Sequence, residues 1–257
     1  MNPEYEPYWS NYLNQYDLSS SYFQNIPSTT NRYCVIVEPR IMPILPKVIK
    51  NFMYLLQNKG WGLIVVHGTK NETFIKSELS EWPNVKYYNL NVDNLTISSY
   101  NQLFCTPPFW NNLKKMGCQH AYIFQTDTVL LKDDIDRFLE YDYIGAPWYV
   151  KFMGMLEVGN GGLSLRNVDK MIEITTKCPR TFTLSNSTPI HLENEDIYFA
   201  FWCLMNNYKI PTPQNAREFS VETIYYDNPS GMHKPLLKEF PSKESYIQLL
   251  NKKIVLH

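Results

Sequence analysis

Apolar positions in the first third of the chain alternate between two periodicities. The runs 33–37 and 61–66 are almost continuously apolar, as expected for strands that are covered on both faces. Between them, the apolar residues of 44–56 recur at helical spacing. A helix and a strand follow, around 71–81 and at 85–88. This β-α-β-α-β order predicts a parallel sheet with right-handed crossovers.

The pattern continues into a second half of different character. A helical stretch near 97–116 leads to an apolar strand at 121–125. Beyond it, short apolar segments bounded by Gly and Pro predict strands, and two further helical patterns follow. The predicted strands are 143–148 and 159–165, and the predicted helices are 167–177 and 194–207.

Two segments lack clear periodicity. Residues 1–30 are rich in Asn, Ser, Tyr and Pro, and we interpret them as an irregular leader that packs through its aromatic side chains. Residues 179–190 are polar with Pro near both ends, which predicts a mobile loop. The expected organisation is therefore a leader over 1–30 and one α/β domain over 31–257.

Composition and charge exclude several classes of function. The formal net charge of −1 and the lack of a Lys/Arg run argue against a nucleic-acid partner. No apolar run approaches the roughly 20 residues of a membrane helix, and the N-terminus does not resemble a signal peptide. The five Cys are widely spaced, which favours reduced thiols and a cytoplasmic location. Oligomeric state stays open.

Gln125-Thr126-Asp127 interrupts the apolar pattern directly after the fourth predicted strand. Ligands of open α/β sheets bind at the carboxyl ends of the strands, so Asp127 lies where a bound group is expected. A carboxylate at this position can hold a hard cation together with a diphosphate. It can equally cap the turn before Val129, and this motif alone does not decide between the two.

Three further segments carry chemistry downstream. Gly159-Asn160-Gly161-Gly162 can form a ligand loop or a tight turn. Glu195 and Asp196 begin a buried helical pattern, where acids serve as caps or supply a general base. His233 and Lys234 lie in a Gly/Pro-containing segment, where they are surface residues or a metal ligand beside a phosphate-binding cation.

The ends of the first two strands add candidates for nucleotide contact. Glu38 and Arg40 follow the first strand, and His67 ends the second, so these residues share the predicted edge with Asp127. A role in starting the next helices is the other interpretation of both segments.

Taken together, these segments resemble the GT-A nucleotide-sugar glycosyltransferases, and more closely an uncharacterised, domain-of-unknown-function branch found in bacteria and large DNA viruses. The resemblance covers roughly 33–235. It rests on an Asp-x-Asp-like motif with Gln in place of the first Asp, a glycine segment, an acidic helix start and a late His. The most specific matches are Asp142-Tyr143-Ile144-Gly145-Ala146-Pro147-Trp148 and Gly159-Asn160-Gly161-Gly162-Leu163-Ser164-Leu165-Arg166. It implies a single GT-A-like domain with a Rossmann-type, mostly parallel central sheet flanked by helices, and a smaller mixed or antiparallel sheet on the acceptor side.

The implied activity is transfer of a sugar from a UDP- or GDP-linked donor to a hydroxyl of a glycan, protein or small molecule, with inversion. Asp196 would act as the base, with Glu195 as runner-up, and Asp127 and His233 would hold Mn or Mg. Gln125 can bind a ribose hydroxyl but adds no charge, so weaker metal binding is expected. The implied donor-binding residues are Glu38, Arg40, His67, Gln125, Thr126, Asp127, Asn160, Gly161, Gly162, Arg166 and Lys234.

Two other classes of function are compatible with these residues. Metal-dependent hydrolysis of phosphoesters or pyrophosphate also uses carboxylates and a His, although two-metal versions need more clustered acids than occur near Asp127. A non-catalytic module that binds a sugar nucleotide would fit the imperfect Gln-x-Asp motif.

Overall fold

A six-stranded sheet with strand order β3-β2-β1-β4-β9-β6 forms the centre of the protein. The computed structural model describes residues 6–16, 18–183, 188–234 and 242–251. The sheet strands are β1 Arg32–Val37, β2 Gly62–His67, β3 Lys86–Asn89, β4 His120–Phe124, β6 Tyr143–Gly145 and β9 Leu163–Asn167. The first four are parallel, and β9 runs antiparallel to both of its neighbours, β4 and β6.

Helices flank this sheet. They are α1 Glu6–Asn14, α2 Ile44–Leu55, α3 Glu72–Glu78, α4 Ile97–Phe104, α5 Pro107–Lys115, α6 Val168–Lys177, α7 Glu195–Met205, α8 Pro213–Phe219 and α9 Lys243–Asn251, with 3₁₀ turns at Ser20–Phe23 and Ile135–Phe138. None of the helices in the described part of the chain combines the length and apolar content that a membrane crossing requires.

The continuous hydrophobicity of the central strands follows from burial on both faces. In β1, Cys34 and Ile36 point into one hydrophobic core, and Tyr33, Val35 and Val37 point into the other. Successive side chains of a strand alternate between faces, so a sheet with helices on both sides needs apolar residues at every position. The predicted mostly parallel sheet between helical layers is therefore confirmed.

Within the described residues, three smaller sheets accompany the central one, in agreement with the predicted mixed architecture. They are β12-β13-β5, β7-β8 and β10-β11, formed by β5 Thr128–Leu130, β7 Pro147–Phe152, β8 Leu156–Val158, β10 Thr181–Phe182, β11 Ile190–His191, β12 Ser220–Val221 and β13 Gly231–His233. Within the first of them, β13 runs antiparallel to β5 and pairs His233 with Thr128. This pairing brings a late segment of the chain beside Asp127.

The leader is not irregular where the structure describes it. Residues 6–14 form α1, whose Trp9, Tyr12 and Leu13 are buried in the core, and the Tyr12 hydroxyl donates to the carbonyl of Leu130 at 2.6 Å. The prediction failed because this helix is aromatic and Asn-rich, with weak intrinsic helix propensity, and depends on tertiary packing. Packing through its aromatic side chains is confirmed; residues 1–5 and 17 lie outside the described residues.

Two other segments differ from expectation. The helical stretch 97–116 divides at Thr106 into two helices, because Pro107 cannot continue the preceding helix but suits the start of a new one. The predicted loop 179–190 contains β10 and the first residue of β11, and these two-residue strands pair with each other. Residues 184–187 of that loop lie outside the described residues.

Candidate functional site

A cavity of about 500 Å³ opens at the carboxyl edge of the parallel strands, where β1 and β4 end. This is the edge at which ligands of open α/β sheets bind. Most of the residues singled out in the sequence line it: Glu38, Arg40, Gln125, Thr126, Asp127, Asn160, Gly161, Gly162, Glu195, Asp196, His233 and Lys234. His67 and Arg166 do not.

Asp127 and His233 face each other in this cavity. The pairing of β13 with β5 places His233 Nε2 3.5 Å from Asp127 Oδ1, and the backbone N–H of Lys234 donates to the Asp127 carbonyl at 2.9 Å. Burial alone would lower the pKa of His233, but its contacts with Asp127 and Glu222 outweigh burial and raise that pKa to about 9. Burial alone would raise the pKa of Asp127, but the contact with His233 lowers it below its ordinary value.

These two side chains suit one divalent cation. Both ring nitrogens of His233 are buried, and neither makes a hydrogen bond of good geometry to a described residue. The 3.5 Å separation of Nε2 from Asp127 Oδ1 is long for a hydrogen bond, and an imidazole nitrogen beside a carboxylate oxygen is a donor set that would suit a divalent cation. In the described ranges, no three His, Cys, Asp or Glu side chains form a group that could hold a metal ion. A cation here would share its remaining positions among substrate oxygens and water.

Glu222 is a member of the site that the sequence analysis missed. It directly follows β12, and its Oε1 lies 3.2 Å from His233 Nδ1 while its Oε2 accepts from Asn160 Nδ2 at 2.7 Å. The carboxylate therefore joins His233 to the glycine segment. A single acid after a two-residue strand carries no recognisable signal in the sequence, since only the tertiary fold brings it against His233 and Asn160, which line the cavity.

Asp196 lies at the first turn of α7 and lines the cavity. Burial raises its pKa to about 7, with a further contribution from the negative charge of Glu195. The backbone N–H of Ile197, which donates to Asp196 Oδ1 at 2.7 Å, opposes the shift. A carboxyl group that titrates near neutral pH is suited to accept a proton in catalysis.

Glu195 is committed to a buried ion pair. Arg166 is fully buried, donates to both carboxylate oxygens of Glu195 at 2.6 and 3.0 Å, and donates to Ser164 Oγ at 2.9 Å. The rings of four aromatic residues surround its guanidinium: Phe104, Trp110, Tyr143 and Phe199. Arg166 therefore does not line the cavity, and its contacts are those of a structural residue. Both oxygens of Glu195 are occupied by this pair.

The glycine segment packs directly against these acidic and imidazole groups. A Cβ atom on Gly161 would lie 2.1 Å from Glu195 Oε1, and one on Gly162 would lie 2.2 Å from the His233 ring. Asn160 donates to Glu222 and accepts from the N–H of Gly162 at 3.1 Å, so its side chain holds the segment together. Glycine is therefore required at positions 161 and 162 by packing within the protein.

The end of β1 forms another wall of the cavity. Arg40 donates from Nε and Nη2 to the two carboxylate oxygens of Glu38, at 2.8 and 2.7 Å, and its side chain is 53% exposed. Asn71 donates to the carbonyls of Glu38 and Arg40, which fixes this turn. By contrast His67 is buried, and its ring lies edge-on to Tyr87, so the expected donor contact by His67 is not supported.

The segment after β3 supplies lining residues that the sequence analysis also missed. Asn94 to Ile97 line the cavity, together with Tyr100, Asn101 and Asn194. The hydroxyl of Tyr100 is buried without a good hydrogen bond among the described residues, and burial raises its pKa. These lining residues could have been predicted from the topology, because the segment follows β3, which ends at the same edge as β1 and β4.

The Arg166–Glu195 pair gives a test of stability. We expect Arg166→Met to lower the free energy of unfolding in urea by about 3–5 kcal/mol, because it leaves the Glu195 carboxylate buried without a partner. Arg137→Met is the matched control: it removes partly exposed pairs with Glu218 and Asp134 and should cost about 0–1 kcal/mol. Equal losses in the two variants would contradict the structural role of the buried pair.

Comparison with solved structures supports the architecture. Mouse xyloside xylosyltransferase 1 superimposes with a TM-score of 0.51 at 9% identity, over 82% of this chain and 100% of that one. The WbbM bifunctional glycosyltransferase (TM-score 0.47, 12% identity) and the glycosyltransferase GlyE of Streptococcus pneumoniae TIGR4 (0.46, 12%) match over 88% and 79% of this chain. The chain spans about half of each of those two structures, 51% and 54%. The similarity to xyloside xylosyltransferase 1 shows that this chain shares the overall fold of that glycosyltransferase.

At the level of sequence, no curated protein matches the chain. The match to a protein family covers residues 84–233, more than half of the chain, from just before β3 to His233. The chain belongs to the family described as protein of unknown function (DUF5672).

Proposed function

We propose that this protein is a glycosyltransferase that moves a sugar from a nucleotide-linked donor, UDP or GDP, to an acceptor hydroxyl. The observation that carries the proposal is the meeting of Asp127, His233 and Asp196 in one cavity at the carboxyl edge of the sheet. Sugar transfer needs positive charge at the leaving diphosphate and a base for the acceptor hydroxyl. Asp127 and His233 would supply the first by holding a metal ion, and Asp196, with a pKa of about 7, would supply the second. The glycosyltransferase-like fold supports the same assignment.

In this proposal, Asp127 and His233 hold a divalent cation, Mn²⁺ or Mg²⁺. When bound, it would supply positive charge to the leaving diphosphate. The exposed Lys234, which follows His233 at the cavity, adds a cation for the phosphate oxygens. Gln125 lines the same wall and offers an uncharged amide for a ribose hydroxyl. Nucleotide contacts by Glu38, Arg40 and Thr126 are part of the proposal.

Asp196 acts as the general base. The acceptor oxygen attacks the anomeric carbon while its proton passes to Asp196, and the bond between that carbon and the diphosphate oxygen breaks. Attack and departure occur on opposite faces of the carbon, so the configuration inverts. Glu195 cannot substitute for Asp196 in this step, because both of its oxygens bind Arg166.

The acceptor side is assigned to the β7–β8 hairpin and the segment that leads from it to Asn160. This hairpin exposes large apolar side chains, including Tyr149 at 71% and Val150 at 55%, and its base contacts Thr223, the neighbour of Glu222. A loop next to the chemistry is where acceptor specificity is expected. A glycan, a protein or a small molecule could present the hydroxyl.

Replacement of the base tests the mechanism. We expect Asp196→Asn to slow release of nucleoside diphosphate from UDP- and GDP-sugars by about 10²–10⁴-fold, because the amide cannot accept the proton. Donor affinity, measured by calorimetry, should be nearly unchanged. A variant that retains the wild-type rate would show that Asp196 is not the base.

The pKa of Asp196 gives a pH dependence. Asp196 carries a proton below about pH 7 and can act as a base only above it. We therefore expect the rate at low donor concentration to fall about tenfold per pH unit below pH 7 and to level off above it. A profile that stays flat between about pH 5 and 8, with circular dichroism showing a folded protein throughout, would contradict this assignment.

A further inference from the structure

Glu222 connects two residues that line the cavity, His233 and Asn160, and each of its carboxylate oxygens contacts one of them. Its Oε1 lies 3.2 Å from His233 Nδ1 on β13, and its Oε2 accepts from Asn160 Nδ2 at 2.7 Å. The side chain is 13% exposed, so solvent competes little for these contacts. Nothing in the proposed reaction uses Glu222 as a base or as a ligand.

We propose that Glu222 is a positioning residue, which keeps a hydrogen of His233 on Nδ1, so that Nε2 is the nitrogen that releases its proton when the cation shared with Asp127 binds. The inference rests on the proposed function, because it assigns that cation to Asp127 and His233. An ionised carboxylate only accepts hydrogen bonds, so the ring nitrogen that faces it carries the hydrogen. The opposite nitrogen is then free to bind a metal, as in carboxylate–histidine–metal arrangements.

The direction of the hydrogen bonds makes the role specific to a carboxylate. Asn160 Oδ1 accepts from the N–H of Gly162, so its Nδ2 must be the group that points to Glu222. In Glu222→Gln, the new amide oxygen would accept from Asn160, and the new NH₂ group would therefore face His233. That NH₂ group is a donor, so Nδ1 becomes the acceptor and the ring hydrogen moves to Nε2, where it blocks the cation.

The same reasoning predicts a rescue. In Asn160→Asp combined with Glu222→Gln, the carboxylate at position 160 accepts from both Gly162 and the new amide. The amide oxygen then faces His233 and again accepts from Nδ1. The double variant contains one carboxylate and one amide, like the wild type, with their positions exchanged.

The experiment measures Mn²⁺ binding to the full chain from the loss of the free-ion electron paramagnetic resonance signal. We expect Glu222→Gln to weaken binding about 10-fold or more, and the double variant to recover most of the loss. Asp127→Asn identifies the site, since it should abolish this binding. Glu218→Gln is the matched control, because Glu218 pairs with Arg137 on the protein surface and should leave Mn²⁺ affinity unchanged.

Wild-type affinity in Glu222→Gln, or a double variant that binds no better than the single one, would overturn the proposal. Lack of Mn²⁺ binding by the wild type would do the same. Thermal unfolding shows whether each variant is folded. If Glu222→Gln does not fold, the double variant decides: Mn²⁺ affinity equal to that of the wild type supports the proposal, and a loss of Mn²⁺ affinity overturns it. The experiment measures Mn²⁺ binding and not sugar transfer. The role of Glu222 and the glycosyltransferase assignment can therefore fail independently of each other.

Discussion

The buried ion pair between Arg166 and Glu195 is the interaction on which the candidate site depends. Arg166 extends from β9 into a ring of aromatic side chains, and Glu195 starts α7, so their two hydrogen bonds fix the helix against the sheet. Gly161 packs on the Glu195 carboxylate, which leaves no space for a side chain there. The position of Asp196, one residue along the helix, follows from these contacts.

The buried pair gives the adjacent acids Glu195 and Asp196 different roles. Glu195 neutralises Arg166, whereas Asp196 forms no ion pair with a described residue and its pKa rises with burial. Two neighbouring carboxyl groups of the same helix turn thus have different partners, and only one of them is left to act on a ligand in the cavity. The negative charge of Glu195 also contributes to the raised pKa of Asp196, so the structural acid tunes the proposed base.

The pairing of β13 with β5 is the second constraint, because it joins residues about a hundred positions apart in the chain. It brings His233 to Asp127, and Glu222 and Asn160 connect that pair to the glycine segment beside Asp196. The proposed leaving-group side and the proposed base side of the cavity are therefore linked by direct contacts. Substitution of one of these residues should therefore alter the side-chain positions on both sides of the cavity.

Sequence patterns predicted the parts of the fold that depend on local periodicity. The strands β1 to β4 and the helix α2 follow from apolar runs and helical spacing, and the sheet edge then predicts that Asp127 faces a cavity. The helix α1 was missed because it is stabilised by packing of Trp9 and Tyr12 rather than by propensity.

The partners of the site residues could not be predicted in the same way. Whether Arg166 points to a ligand or to Glu195, and whether His67 faces the cavity, depends on side-chain direction in the folded protein. Glu222 reaches the site through tertiary structure alone.

The most direct test of the central assignment is thermal unfolding of the wild type with a panel of UDP- and GDP-sugars, with and without Mn²⁺. We expect one nucleotide class to stabilise the protein by about 2.7 kcal/mol at a hundredfold excess over its Kd, with a larger shift when Mn²⁺ is present. Asp127→Asn should lose the effect of Mn²⁺, whereas Asp169→Asn, which changes a surface carboxylate paired with Lys114, should retain it. No shift with any sugar nucleotide would contradict a donor site in this cavity.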